Sequence, residues 1–293
     1  MFGHRPDGKK VKNASLLFRV VPHIMPTRDD SQVYFTQDIP IKGMDEFINK
    51  KAEEGIKVSY MHIIYAAIVK TIALKPELNR FIVNRIPYER DGIWISLAVK
   101  KSLSEDGEET LFKLRFDGTE SFMEIKEKLE NTVNENKAED SENDMAKFVR
   151  KLEKTPNIIL KTVIGTLKLM DRYGIMPKSI IALSPFHTSA FLTNVGSLGL
   201  DAIYHHIYNF GTTSMFFAMG KKKKDYVPEE DELVEEKCLS FAFVGDERIC
   251  DGYYFASAFK QLIKFIKKPE LMEIIEEEKE EVTEGQVWLE QML

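Results

Sequence analysis

Apolar positions along this chain keep two rhythms, one of period two and one of period three to four, and the switches between them predict its elements. The run QVYFTQDIPI, residues 32 to 41, has the aromatic and β-branched content of a strand and ends at Pro40 and the Gly43 turn. A short helix is expected over 44 to 54. From Val58 to Leu74, Met61, Ile64, Tyr65, Ile68 and Ile72 recur at helical spacing, with Ser59 as N-cap and Pro76 as the stop. His62 lies beside this stripe, as a histidine at the edge of a packed face does. Strands follow over 81 to 88, 93 to 100 and 110 to 116, with Arg90-Asp91-Gly92 turning between the first two. Helical spacing returns over 122 to 129 and runs into the polar stretch NENKAEDSENDMAK, read as a loop or exposed helix.

Residues 145 to 173 read as helical, interrupted near Pro156, with Ile159, Val163, Leu167 and Met170 as a stripe that packs on a sheet or a neighbouring subunit. After Pro177, strands are expected over 180 to 183, 189 to 194, 213 to 219 and 239 to 245. The run Lys221-Lys222-Lys223-Lys224 and the acidic PEEDELVEE read as a solvated hairpin connection between two of them. A last amphipathic helix spans Tyr253 to Lys268 and is closed by Pro269. Strands and helices do not alternate strictly, so the pattern predicts an α+β sandwich rather than a doubly wound sheet.

Composition narrows the setting. The chain has 293 residues, 43% of them hydrophobic, enough for a sizeable core. A net charge of -6 argues against a general nucleic-acid binder. No apolar window is long enough for a membrane span, and the basic start carries no signal-peptide core. Cys238 and Cys250 are too few for a disulfide framework, which fits a reducing cytoplasm. The expected organisation is a basic arm over 1–13, one domain over 14–271 and an acidic tail over 272–293.

Three blocks far apart in the chain carry a family resemblance: KVSYMHIIYAAIVKTIALKPELN (57 to 79), FLTNVGSLGLD (191 to 201) and LSFAFVGDERICDGYYFASAFKQLIKFIKKPEL (239 to 271). Together they resemble the catalytic domain of dihydrolipoamide acyltransferases, the E2 components of 2-oxo acid dehydrogenase complexes, and the related chloramphenicol acetyltransferase. The resemblance implies a two-layer sandwich with a mixed β-sheet, homotrimers with the active site between subunits, coenzyme A as co-substrate, and acyl transfer to a thiol or hydroxyl. No lipoyl-bearing module or Ala/Pro-rich linker is recognisable, so a conventional dehydrogenase-complex component is disfavoured.

The family signature is D-H-R-x-x-D-G or H-H-x-x-x-D-G, whose histidine is the general base. Here the stretch is Asp246-Glu247-Arg248-Ile249-Cys250-Asp251-Gly252, so Glu247 stands at the histidine position while Arg248, Asp251 and Gly252 agree. With ordinary pKa values, a glutamate removes a thiol proton uphill by about 4 units, roughly 6 kcal/mol, against about 3 for histidine. Burial of the carboxylate narrows that gap. The resemblance assigns the oxyanion hydrogen bond to Thr193, in Leu192-Thr193-Asn194-Val195-Gly196. His205 and His206 are candidate replacement bases; on a strand, adjacent residues face opposite ways, so at most one would reach a pocket. They lack carboxylate or cysteine companions at ligand spacing, so no metal site is expected. His187 reads as a hydrogen-bonded core histidine and Cys250 as buried and not catalytic. The alternative to an active transferase is a catalytically degenerate homologue serving as a trimeric scaffold or binding protein.

Overall fold

The structure, a computed structural model, describes residues 5–12, 14–100, 109–137, 155–229 and 232–273. Among these, nine strands and seven α-helices follow in the order β1 (Gly8–Lys10), α1 (Leu16–Ile24), β2 (Gln32–Pro40), α2 (Lys42–Glu53), α3 (Tyr60–Leu74), β3 (Arg80–Val83), β4 (Ile86–Arg90), β5 (Ile93–Lys100), β6 (Glu109–Phe116), α4 (Phe122–Lys137), α5 (Asn157–Arg172), α6 (Lys178–Leu183), β7 (Ala190–Asn194), β8 (Met215–Glu229), β9 (Glu232–Asp246) and α7 (Gly252–Lys267).

A six-stranded sheet in the order β2-β9-β8-β7-β5-β6 forms one layer. It is mixed: β7 runs parallel to both β5 and β8, and the other pairs are antiparallel. A small sheet, β1-β4-β3, stands beside it. The expected α+β two-layer sandwich with a mixed sheet is therefore the architecture observed.

Helices α2, α3, α4 and α7 cover one face of the large sheet, and the main core lies between them and β5, β7, β8 and β9. Helix α3 is buried without a break from Ile63 to Ile72, deeper than a one-sided stripe predicts. A helix wrapped on all sides needs apolar residues all round, which IIYAAIV supplies. Its start is the expected Ser59 cap. Ser59 Oγ accepts from the His62 amide at 3.3 Å, and His62 Nδ1 accepts from the Ser59 amide at 3.2 Å, a reciprocal capping box in which histidine takes the usual glutamate's place.

Four expectations are corrected. Residues 178–183 form helix α6 rather than a strand; a short apolar run flanked by prolines carries no period that distinguishes the two. The single strand expected over 81 to 88 is a tight hairpin, β3 and β4, with Asn84 and Arg85 both in the left-handed region at φ 48° and 64°. The four lysines at 221–224 lie within β8, and Lys222, Lys223 and Lys224 pair with β9, Lys224 Nζ meeting Glu235 at 2.6 Å. Charge alone does not exclude a strand here, because the pairing is made by the backbone while the side chains of Lys221, Lys222 and Lys224 stay exposed. Part of the expected free arm is held to the protein: β1 pairs with β4, and Arg5 is buried. The polar stretch 138 to 154 and the acidic tail from 274 onward lie outside the described residues.

Candidate functional site

Strand β9 ends at Asp246, and the next five residues form a loop pinned at both sides of Glu247. Asp246 is fully buried and accepts from Ser31 Oγ (3.0 Å) and the Arg248 amide (3.1 Å). It also takes a bidentate pair from the Arg248 guanidinium, Nε at 2.7 Å and Nη2 at 2.7 Å. Arg248 Nη1 reaches on to the Met25 carbonyl at 3.0 Å, tying the loop to the α1–β2 connection. The Glu247 amide donates to the Ser31 carbonyl at 2.9 Å, while its side chain is exposed. Ile249 and Cys250 sink into the main core, and burial raises the Cys250 thiol far above its ordinary pKa, in keeping with a non-catalytic cysteine. Asp251 is exposed and caps α7, its Oδ1 accepting from the Tyr254 amide at 2.7 Å.

Thr193 stands at the far end of β7. Ala190 and Leu192 join the helix-covered core, whereas Phe191 packs on the opposite, outer face with Ile207, Phe216 and Val244. Alternation puts Thr193 on that outer face as well. Beyond it, Asn194 Oδ1 accepts from the Ser197 amide at 3.1 Å and closes a tight turn. The turn lies directly on β8: a Cβ on Gly196 would stand 2.2 Å from the Gly220 carbonyl oxygen, and one on Gly220 would stand 2.2 Å from the Ala202 amide. Both positions thus require glycine for backbone to cross backbone.

The register measures the separation of these two sites. Thr193 pairs with Ala218 on β8, which pairs with Ala242 on β9. Asp246, before Glu247, is four residues farther along β9. Four residues of strand are about 14 Å and two strand spacings about 10 Å, so Thr193 and the Glu247 loop lie on the order of 17 Å apart. Within one chain they are at opposite ends of the stretch over which β7, β8 and β9 pair.

The histidines take different places. Residues 200 to 207 are not a strand, so the opposite-face argument for His205 and His206 does not apply. The half-buried His205 ring stacks on Phe216 (4.5 Å between centroids, 17° interplanar), which stacks on Phe191 (5.3 Å, 8°). His206 is exposed and edge-on to Tyr208. His187 is buried, with Nδ1 2.8 Å from Ser184 Oγ and Nε2 3.3 Å from Asp171 Oδ1, the hydrogen-bonded core histidine expected. Its burial lowers the ring's pKa, against the opposing pull of Asp171.

Pattern reading missed the charge cluster around His187. Arg5 forms a bidentate pair with Asp7 (2.7 and 2.9 Å) and reaches Asp171 at 2.8 Å. Burial alone would raise the Asp171 carboxyl, but His187 and Arg5 more than offset it and hold it near pKa 2. Arg90 and Arg5 lie over the Phe81 ring at 4.4 and 5.3 Å. Arg28 donates to the carbonyls of Thr213 (3.0 Å) and Ile82 (3.2 Å), and burial pushes its pKa down to about 10. Beside this cluster opens a cleft of about 390 Å³, lined by Arg28, Asn84, Arg85, Lys168, Arg172 and Arg248 among others. Of these cleft cations only Arg248 stands in a recognisable motif; the others come from elements whose adjacency the pattern does not show. Among the described residues, no group of three or more His, Cys, Asp or Glu is placed to hold a metal ion, and no helix is long and apolar enough to cross a membrane.

Residues 186–274 match the family model of the 2-oxoacid dehydrogenases acyltransferase catalytic domain, just under a third of the chain, containing both the Thr193 turn and the Glu247 loop. The fold is similar to a probable dihydrolipoamide acetyltransferase from Listeria monocytogenes, at 14% identity and TM-score 0.55, covering 89% of this chain and 94% of that one. It is likewise similar to the cubic core of a pyruvate dehydrogenase multienzyme complex (12% identity, TM-score 0.54, 90% and 94% covered). Chloramphenicol acetyltransferase matches at 12% identity and TM-score 0.51, with 88% and 99% covered. Comparison with curated proteins gives no match. The expected resemblance is thus found, in the C-terminal block by sequence and over nearly the whole chain by fold.

Proposed function

We propose that this protein is an acyltransferase of the E2 catalytic type, acting on an acyl-coenzyme A and a thiol or hydroxyl acceptor at a site built between copies of the chain in a homotrimer. The observation that carries this reading is the separation of Thr193 from Glu247. Two residues at matching motif positions but opposite sheet ends serve one reaction only if each is completed by a neighbour. Apolar residues exposed on the segment over the outer face, Leu198, Leu200, Ile203, Tyr204 and Tyr208, offer the surface for such a neighbour.

In this reading the base removes the acceptor proton and the freed sulfur or oxygen attacks the thioester carbonyl. The Thr193 hydroxyl donates to the oxyanion, and collapse of the tetrahedral intermediate expels the coenzyme A thiolate, which takes up the proton held by the base. Glu247 is the base on the pinned loop. Its side chain is exposed in the single chain, where a neighbouring copy would cover it. His205 and His206 are the other candidates for that proton. Asp251 contributes by capping α7 behind the loop. A catalytically degenerate scaffold is the second reading, favoured by the same exposed Glu247.

The test is release of coenzyme A thiol from acetyl coenzyme A with free dihydrolipoamide. The transferase reading expects turnover, reduced about ten- to a thousand-fold by Thr193→Ala. No turnover by the native chain with activity gained on Glu247→His identifies the scaffold. Sedimentation as a monomer at micromolar concentration removes the shared site.

A further inference from the structure

The cleft beside the buried charge cluster holds an imbalance that the acyl-transfer reading does not use. Five cations line it, Arg28, Arg85, Lys168, Arg172 and Arg248, against one carboxylate, Asp171. Asp171 is engaged by Arg5 and His187, and Arg248 is matched by Asp246. The remaining four have no carboxylate within ion-pair distance among the described residues. Arg28, on the floor, donates to neutral carbonyls, and its amide to Asn209 Oδ1 (2.9 Å). Arg172 has only a long contact to Asn84 Oδ1, at 3.4 Å. Arg85 and Lys168, exposed on the rim, have no hydrogen-bonding partner among the described residues. The nearby Asp29 is held by the Asn209 amide nitrogen.

Like charges gathered in one concavity repel each other, and in a chain of net charge -6 the gathering is local rather than a general basic excess. The volume of about 390 Å³ is that of a small-ligand pocket. Three guanidinium forks and an ammonium facing one space suit tetrahedral oxyanions, which accept several charge-assisted hydrogen bonds at once.

We propose that the cleft between the α1–β2 connection, the β3–β4 hairpin and the C-terminal half of α5 binds the phosphate groups of a small anionic ligand. Two sources share this chemistry: the phosphates of the acyl-transfer coenzyme, or a free phosphorylated compound. Only the first source rests on the acyl-transfer reading.

The experiment titrates inorganic pyrophosphate into the full chain by calorimetry at low salt, then repeats the titration with coenzyme A and with the two in competition. Lys168→Glu reverses an exposed charge, and Arg85→Asn removes one while keeping a residue suited to the left-handed turn. Each is expected to weaken pyrophosphate binding about tenfold, and the pair about a hundredfold, with unchanged thermal unfolding. Competition by coenzyme A identifies the coenzyme as source; pyrophosphate binding without competition identifies a separate phosphorylated ligand. Absence of pyrophosphate binding at millimolar concentration, or binding kept within about twofold by the double variant, overturns the site. Thiol release in the transferase assay is read independently, so a null there removes the acyl-transfer reading and leaves pyrophosphate binding to stand or fall alone.

Discussion

The two ends of the large sheet are held by different physics. At the Glu247 end the chain is fastened by buried charge: Asp246 with Arg248, and Arg5 with Asp7 and Asp171, surrounded by Arg28 and Arg90. At the Thr193 end it is fastened by backbone laid against backbone, Gly196 on Gly220 and Gly220 under Ala202, with Lys221 N donating to the Leu200 carbonyl at 2.7 Å. The first kind of fastening responds to protons and to removal of a partner. The second responds to a single added carbon and hardly to pH.

The largest expected effect breaks the charged end. Asp246→Ala leaves the buried Arg248 guanidinium unpaired and should cost about 3–5 kcal/mol in urea unfolding. A loss below about 1 kcal/mol would show that the pair adds little beyond its packing. Gly220→Ala, at the other end, drives a Cβ into the Ala202 amide. It should cost about 1–3 kcal/mol, and its loss should be the same at pH 5 and pH 8.

A pH titration sharpens the contrast further. Asp171, held near pKa 2 in the fold, titrates below its ordinary value near 3.8. Its stabilisation is present above about pH 4 and disappears as pH falls toward 2, amounting to about 2 kcal/mol. His187 acts in the same direction: its lowered pKa means that the unfolded chain takes up the proton first, so stability declines as pH drops below about 6.5. His187→Gln should flatten the upper part of that slope and, because it removes one of the two partners that hold Asp171 down, shrink the lower part as well. An unchanged slope between pH 6.5 and 5 would contradict the assignment. The smallest effect is the α7 cap: Asp251→Ala removes a hydrogen bond to the Tyr254 amide and should cost about 1 kcal/mol in thermal unfolding.

The elements that pattern reading found correctly are those with long or strictly alternating periods. Helix α3, with its Ser59 cap, and helix α7 were legible because apolar spacing and punctuation agree there. Strand β5 was legible because I-W-I-S-L-A-V alternates. Short or charge-masked segments were not: α6 has six residues, and the lysines of β8 hide a strand whose pairing is made by the backbone. Of the candidate site, the Glu247 and Thr193 motifs could be named but their separation could not, because strand order and register are properties of pairing across the chain. The cleft cations come from the α1–β2 connection, the β3–β4 turn, α5 and the loop after β9, so nothing in the local pattern gathers them.

The β8–β9 hairpin carries one more consequence. β2 pairs with β9 only from Cys238 onward and β7 with β8 only as far as Met219, yet β8 and β9 continue to pair as far as Glu229 with Glu232. Past the irregularity between Met219 and Lys222 the ribbon soon stands two strands wide, too narrow to be stable by itself in water. Amide hydrogens along one continuous strand should therefore exchange on a graded clock, fastest near Glu229 and slowest near Phe217, whose side chain lies in the main core. The same strand is a rigid beam at one end and a breathing lever at the other.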